Sequence, residues 1–182
     1  MLFRSYATKV INKASDMKGM KFRSVNANTT RLAELAGAVP TQIEVADLAQ
    51  AFATGRIESM ITSPSTGVSN KAWDFLSHFH HIQAWIPKNG VLMNKRAFRR
   101  LDSATQQAVL DAAARAEARG WAMSKAETDE KIAILKKNGV TIMTPSATLM
   151  SSLKDIGKIM SSEWSKKAGA EGAEILKSFR AL

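Results

Sequence analysis

Residues 20–28, which read MKFRSVNAN, place an arginine in the middle of a short apolar strand that runs into a polar turn. Side chains alternate between the two faces of a strand, so Lys21 and Arg23 share one face while Phe22 and Ser24 share the other. A buried guanidinium needs an acidic partner or a bound carboxylate, because an unpaired buried charge costs several kcal/mol. A solvated arginine on an edge strand is the alternative interpretation of this stretch.

Strands alternate with helices on both sides of this segment. Gly37 and Gly55 are expected to end two helices, and Asn28 or Thr29 to cap the first of them. The predicted strands are 21–25, 38–43 and 57–62, and the predicted helices between them are 30–36 and 44–53. This order predicts a parallel βαβαβ sheet with right-handed crossovers.

A hydroxyl-rich loop, TSPSTG at 62–67, follows the third predicted strand and leads into a helix predicted near 70–76. In open α/β sheets, ligands bind beyond the carboxyl ends of the strands, where helix N-termini present free N–H groups. Asn26 and the loop around Ser63 are therefore expected at the same edge of the sheet.

The second half of the chain is predicted to be mainly helical. A long helix begins after Asp102, with Ser103 and Gln106 forming a capping box, and ends before Asn138. About 35 residues at about 1.5 Å each span roughly 50 Å, which indicates a helix lying across more than one lobe. The other predicted elements are strands at 80–85, 90–93 and 140–143 and helices at 148–167, capped by Ser146, and 173–179.

Composition limits the classes of function. The 182 residues carry 26 Lys and Arg against 16 Asp and Glu, and a net charge of +10 would suit a nucleic acid or an anionic membrane surface. The basic residues form no stripe, so no nucleic-acid partner is predicted. The chain has no cysteine, which excludes disulfides, zinc–thiolate sites and thiol nucleophiles. No segment reads as a secretory signal or a membrane span.

The motifs of nucleotide-binding, serine-hydrolase and metalloprotease sites are absent. Ser63 has no histidine or acidic residue in a suitable sequence position, so no catalytic residue is predicted. His78 and His80 could face one side of a strand as a metal pair would, but no third ligand has a suitable spacing. Structural or surface histidines, with neither metal nor cofactor, are therefore expected.

Several motifs together resemble the solute receptors of tripartite ATP-independent periplasmic (TRAP) transporters, of the C4-dicarboxylate-receptor type. They are an Asp-hydrophobic-Lys-Gly turn at 16–19, the arginine-bearing strand that ends in Asn26, a Gly-Ala-x-Pro strand at 37–40, a helix closing in AFATG at 51–55, and QAWIPKNGVLMNKRAFRRLDSATQQ at 83–107. The resemblance covers nearly the whole chain from about Tyr6. It implies an α/β lobe of the type II periplasmic binding protein kind, with long C-terminal helices.

On this resemblance, residues 1–93 form the second ligand-binding lobe with its hinge strands. Residues 94–182 form the long hinge-spanning helix and the C-terminal closing helices. The first lobe and the signal peptide are missing, so the chain is interpreted as a fragment or as a gene whose start is assigned late.

The resemblance also implies the binding residues. In the family, an arginine at the position of Arg23 forms a bidentate pair with the ligand carboxylate, worth roughly 1.5 to 3 kcal/mol. Asn26 matches an asparagine at the lobe edge, and a second polar contact falls on the loop that contains Thr62, Ser63 and Thr66. Departures from the family pattern at 24–26 and 61–64 leave the identity of the ligand open.

The implied function is a periplasmic receptor that binds a small organic acid between two lobes and delivers it to the membrane permease subunits of a TRAP transporter. The resemblance thus implies a binding module and not an enzyme. The alternative is a cytosolic α/β enzyme acting on a carboxylate or phosphate, which requires a histidine or carboxylate converging on Ser63.

Overall fold

The computed structural model describes residues 3–85 and 90–181, without the side chains of Phe3, Arg4 and Trp85. In these residues a six-stranded sheet lies between two helical layers. The strands are β1 (Phe3–Ala7), β2 (Lys21–Ser24), β3 (Val39–Gln42), β4 (Ser59–Thr62), β5 (His78–Trp85) and β6 (Thr141–Met143). The helices are α1 (Ala27–Leu35), α2 (Leu48–Ala53), α3 (Pro64–Ser69), α4 (Lys95–Phe98), α5 (Ser103–Lys137) and α6 (Ala147–Arg180).

The sheet is mixed, with the strand order β3-β2-β4-β1-β5-β6. β2 pairs in parallel with both β3 and β4, which confirms the predicted parallel βαβαβ core. β1 is antiparallel to β4 and to β5, and β5 is parallel to β6. Consequently β2, β3 and β4 all end at the same edge of the sheet, and β1 starts there.

Each face of the sheet carries its own core, as strand alternation requires. One core packs α1 and α6 against the sheet and contains Phe22, Ala33, Ile61, Ile82, Leu149 and Ile156. The other packs α2 and the C-terminal part of α5 and contains Tyr6, Leu48, Met60, Phe79 and Leu135. Arg23 shares its face with the second core, because its partner in the β2–β4 register is Met60.

Two predicted elements are wrong. Residues 90–94 have no regular structure, and Val91 and Leu92 are fully exposed. The strand predicted at 90–93 is therefore absent, although its residues are apolar. The helix predicted near 70–76 begins earlier, at Pro64, and 70–76 holds only a 3₁₀ turn at Ala72–Asp74. A proline directly after a serine cap is a strong start signal, because its fixed φ suits the first helical position.

Smaller corrections concern helix starts. The helix predicted at 44–53 is a 3₁₀ turn at Val45–Asp47 followed by α2. α5 is capped by Asp102, which accepts a hydrogen bond from the Thr105 N–H, and not by Ser103. Ser146 caps α6 as predicted, accepting a bond of 3.0 Å from the Leu149 N–H.

The long helix is confirmed as one unbroken element from Ser103 to Lys137. α6 breaks at Gly169, where φ is 68° and ψ is −150°, in agreement with two separate predicted helices. A positive φ favours glycine because it has no Cβ to clash with the backbone. An ion pair of 2.6 Å between Arg31 and Glu163 joins α1 to α6. Within residues 3–85 and 90–181, no helix combines the length and apolarity that crossing a bilayer needs.

His80 is a buried neutral histidine on the first core's side of β5. It is 1% exposed, and its Nε2 accepts a hydrogen bond of 3.0 Å from the Ile11 N–H, so the proton of the neutral ring is on Nδ1. The ring borders a cavity of about 20 Å³ together with Ser5. Burial lowers the pKa of His80, the charge of His78 lowers it further, and the Ser5 carbonyl opposes both effects.

Lowering the pH from about 7 to about 5.5 is expected to reduce the stability of the chain through His80. The pKa of His80 is lower in the folded chain than the unfolded value of 6.5. The contribution of the neutral ring to stability is therefore fully present above pH 6.5 and is lost as the pH falls toward the folded pKa. Urea denaturation at both pH values measures the loss, which should be smaller in His80→Gln. The same pH dependence in both proteins would contradict a neutral buried ring.

Candidate ligand site at the carboxyl edge of the sheet

Arg23 is a buried cation in the interior of the sheet. It is 2% exposed, and β2 lies between β3 and β4, so the edge-strand interpretation is wrong. Its Nε donates a hydrogen bond of 2.9 Å to the Ile43 carbonyl. Burial lowers the pKa of Arg23, and the charge of Glu44 opposes this shift. A guanidinium nevertheless stays protonated at physiological pH.

The two terminal nitrogens of Arg23, Nη1 and Nη2, are available to a ligand. Among the described residues they have no hydrogen-bond partner, and no acidic side chain forms an ion pair with them. Neither nitrogen is completely enclosed by protein, so both keep some contact with solvent. Two such N–H groups form the fork that binds both oxygens of a carboxylate.

Thr62 lies on the same face of the sheet as Arg23. It follows Met60, the register partner of Arg23, by two residues, so its side chain points the same way. Thr41, the partner of Arg23 on β3, shares this face. Thr62 is 3% exposed, and its hydroxyl has no hydrogen-bond partner in the described part of the chain. It can therefore serve a ligand beside the guanidinium.

Asn26 caps α1, two residues before Asn28 and three before Thr29, the positions predicted for this cap. Its Oδ1 accepts a hydrogen bond of 3.0 Å from the Thr29 N–H, and its own N–H donates to Thr29 Oγ1 at 3.1 Å. Asparagine is a preferred cap because its side-chain oxygen satisfies a free N–H of the first turn. Nδ2 of Asn26 has no partner among the described residues and is the group left for a ligand.

Ser63 and Thr66 form the cap of α3. Ser63 Oγ accepts a hydrogen bond of 3.0 Å from the Thr66 N–H and lies 3.0 Å from Thr66 Oγ1. Tyr6, which is fully buried, donates its hydroxyl hydrogen to the Ser63 carbonyl over 3.1 Å. The hydroxyls of Ser63 and Thr66 therefore stabilise the conformation of the loop.

The predicted residues thus meet at one edge of the sheet but divide into two kinds. Arg23 and Thr62 present free polar groups, whereas Asn26, Ser63 and Thr66 use theirs mainly to start helices. The sequence contains no signal for the hydrogen bond from Tyr6, because the segment that forms β1 lacks a clear strand pattern.

The surroundings of Ser63 bear on the enzyme alternative. In the described part of the chain, its Oγ has hydrogen bonds to Thr66 and to no histidine or carboxylate. Among the same residues, no three His, Asp or Glu side chains are grouped as metal ligands. This geometry lacks the converging base that a serine nucleophile needs.

The six-stranded mixed sheet between two helical layers is the fold of a solute-binding protein lobe. Residues 3–167 match the model of bacterial extracellular solute-binding protein family 7, and the chain belongs to this family.

Three solved structures are similar to this chain in both sequence and fold. The Bordetella pertussis extracytoplasmic solute receptors DctP6 and DctP7, both binding pyroglutamic acid, are 44% identical to the chain, with TM-scores of 0.93 and 0.91. A TRAP solute-binding protein from a marine metagenome, specific for pyroglutamate, is 33% identical with a TM-score of 0.89. They align with 99%, 98% and 99% of this chain, respectively. The chain spans 60% of the two Bordetella receptors and 59% of the third protein.

Proposed function

We propose that the chain is the carboxylate-binding lobe of a receptor that holds a small organic acid between two lobes and delivers it to a TRAP-type permease. The observation that carries this proposal is Arg23, a buried cation whose terminal nitrogens have no hydrogen-bond or ion-pair partner among the described residues. A ligand carboxylate supplies the counter-charge that no described side chain provides.

The exposed half of α5 supports the presence of a second lobe. Between residues 103 and 123, α5 is exposed except at Gln106, and Leu110, Trp121 and Met123 are among its exposed side chains. Apolar side chains along a helix are normally buried against another element. We therefore propose residues 1–93 as the lobe with its hinge, and 94–182 as the spanning and closing helices.

Pyroglutamate is the first ligand to test. Two receptors that are 44% identical to this chain bind pyroglutamic acid. Its single carboxylate fits the Arg23 fork, and its lactam carries one donor and one acceptor for groups such as the Thr62 hydroxyl and Asn26 Nδ2. We propose that the working protein acts in the periplasm with permease subunits as partners, and that it uses neither a catalytic step nor a cofactor.

Isothermal titration calorimetry on a two-lobed fusion tests the proposal. In this fusion, the complete 182-residue chain is joined to the part of DctP6 that it does not cover. Pyroglutamate should bind the fusion more tightly than the chain alone, because one lobe forms only part of the site. 2-Pyrrolidinone, the same ring without the carboxylate, should bind roughly tenfold to a hundredfold more weakly. Failure of every carboxylate to bind the fusion would contradict the proposal.

A further inference from the structure

The loop at residues 63–66 is tied to the long helix α5. The Ser65 hydroxyl donates a hydrogen bond of 2.8 Å to Glu127 Oε1, and the bond is partly buried. Ser65 lies in the first turn of α3, directly before Thr66, whose N–H donates to the cap residue Ser63. The bond therefore acts on the backbone of the candidate ligand loop.

Three of the interactions that hold this loop come from different parts of the fold. The Ser63–Thr66 cap is internal to the loop, and the Tyr6 bond comes from the centre of the sheet. Glu127, in contrast, belongs to a helix that continues past the lobe. Of the three, the Glu127 bond alone connects the loop to an element whose other half lies outside the core.

Glu127 is located where α5 first meets the lobe. α5 is exposed from residue 107 to residue 123, and its side chains become half-buried at Ser124, Glu127 and Thr128. Leu135, two turns later, is fully buried in the second core. A tilt of the exposed half would therefore act first on the Glu127 contact, since this is the first part of α5 that packs on the lobe.

We propose that Glu127 is a positioning residue that couples the 63–66 loop to α5, so that the orientation of α5 sets the position of the loop beside the ligand. This inference rests on the proposed function, because it takes the loop as one border of the ligand site. Glu127 does not touch the ligand; it acts through Ser65. Its effect should therefore appear in ligand affinity and in the local mobility of the loop.

The chain offers matched variants to separate this role from general stability. Glu127→Ala removes the acceptor, whereas Glu127→Gln keeps an amide oxygen that can accept the Ser65 hydrogen bond. Ser65→Ala removes the other partner. Glu130→Ala is the control, because Glu130 is exposed on the same helix and pairs with its neighbour Lys131 at 3.0 Å.

Pyroglutamate titration of the two-lobed fusion is the first readout. Glu127→Ala and Ser65→Ala should each weaken binding about tenfold, and the double variant should be no weaker than either, since both remove one bond. Glu127→Gln should bind within about twofold of the parent, as should Glu130→Ala. Parent-like affinity in Glu127→Ala would overturn the inference, and so would equal losses in the Gln and Ala variants.

Hydrogen exchange in the ligand-free 182-residue chain is the second readout, and it needs no ligand. Amides of residues 64–70 should exchange faster in Glu127→Ala and Ser65→Ala than in the parent or in Glu130→Ala. Unchanged exchange would overturn the positioning role even if ligand binding by the parent fusion supports the proposed function. If the parent fusion does not bind pyroglutamate but exchange changes as expected, the proposed function is overturned. Glu127 would then only stabilise the loop and have no role in ligand binding.

Discussion

Arg23→Met is expected to weaken pyroglutamate binding by the two-lobed fusion roughly 100-fold or more. The variant removes the two terminal nitrogens that would bind the carboxylate and leaves that carboxylate facing an apolar side chain. Truncating one partner of a buried charge pair typically costs 2 to about 5 kcal/mol, which corresponds to roughly 30-fold to several thousandfold in affinity. Calorimetric titration measures this loss directly.

The same variant should leave ligand-free stability nearly unchanged. Arg23 is 2% exposed and has no ion-pair partner among the described residues, so the folded chain bears the cost of a desolvated charge. Methionine removes that cost but leaves the Ile43 carbonyl without its 2.9 Å hydrogen bond. The two effects oppose each other, and we expect a net change below about 1 kcal/mol.

Two further substitutions make the Arg23 test specific. Arg23→Lys keeps the charge but has neither the planar fork nor Nε, so it should also bind weakly. Lys21→Met is the control, because Lys21 lies on the same strand face and donates its Nζ hydrogen to the Gly55 carbonyl at 2.7 Å. Parent-like affinity of Arg23→Met, or an equal loss in Lys21→Met, would contradict the assigned role.

Gly67→Ala is expected to destabilise the 182-residue chain by about 3 kcal/mol. A Cβ on Gly67 would lie 2.7 Å from Cζ and 2.9 Å from Cε1 of Tyr6, and closer still to its hydroxyl oxygen. Tyr6 cannot easily yield, because it is fully buried and its ring packs edge-on against Phe79 at 4.9 Å. The added methyl must therefore displace α3 or strain the sheet. Thermal unfolding should show a Tm lower by about 10 °C.

Gly120→Ala is the matched control for this overpacking. Nothing lies within 4 Å of a Cβ at Gly120, which is exposed within α5. Alanine favours the helix over glycine by about 1 kcal/mol, so this variant should be neutral or slightly stabilised. A Gly67→Ala protein as stable as Gly120→Ala would show that Tyr6 and α3 do not pack as described.

Much of the fold can be predicted from the sequence because its signals are local. β2 follows the turn that ends at Gly19, β4 and β6 are short segments with apolar residues at their centres, and α5 has a cap at Asp102 and a stop at Asn138. β1 could not be found in this way. Its sequence FRSYA has no clear alternation, and its partners β4 and β5 begin more than 50 residues later.

Part of the candidate site can also be predicted from the sequence. The place of Arg23 on a covered strand follows from the strand–helix order. The capping roles of Asn26 and Ser63 had a sequence signal, since both are preferred cap residues, and Ser63 also directly precedes a proline. Glu127 had none, because its partner Ser65 is 62 residues away and only tertiary packing brings the two together.

A crystal structure of the two-lobed fusion with bound pyroglutamate tests the role of Arg23 most directly. We expect Nη1 and Nη2 of Arg23 to lie about 2.7 to 2.9 Å from the two carboxylate oxygens. Arg23 Nε should keep its bond to the Ile43 carbonyl, which is 2.9 Å long in the ligand-free chain. A carboxylate bound elsewhere, with Arg23 paired to a side chain of the protein, would show that Arg23 does not bind the ligand.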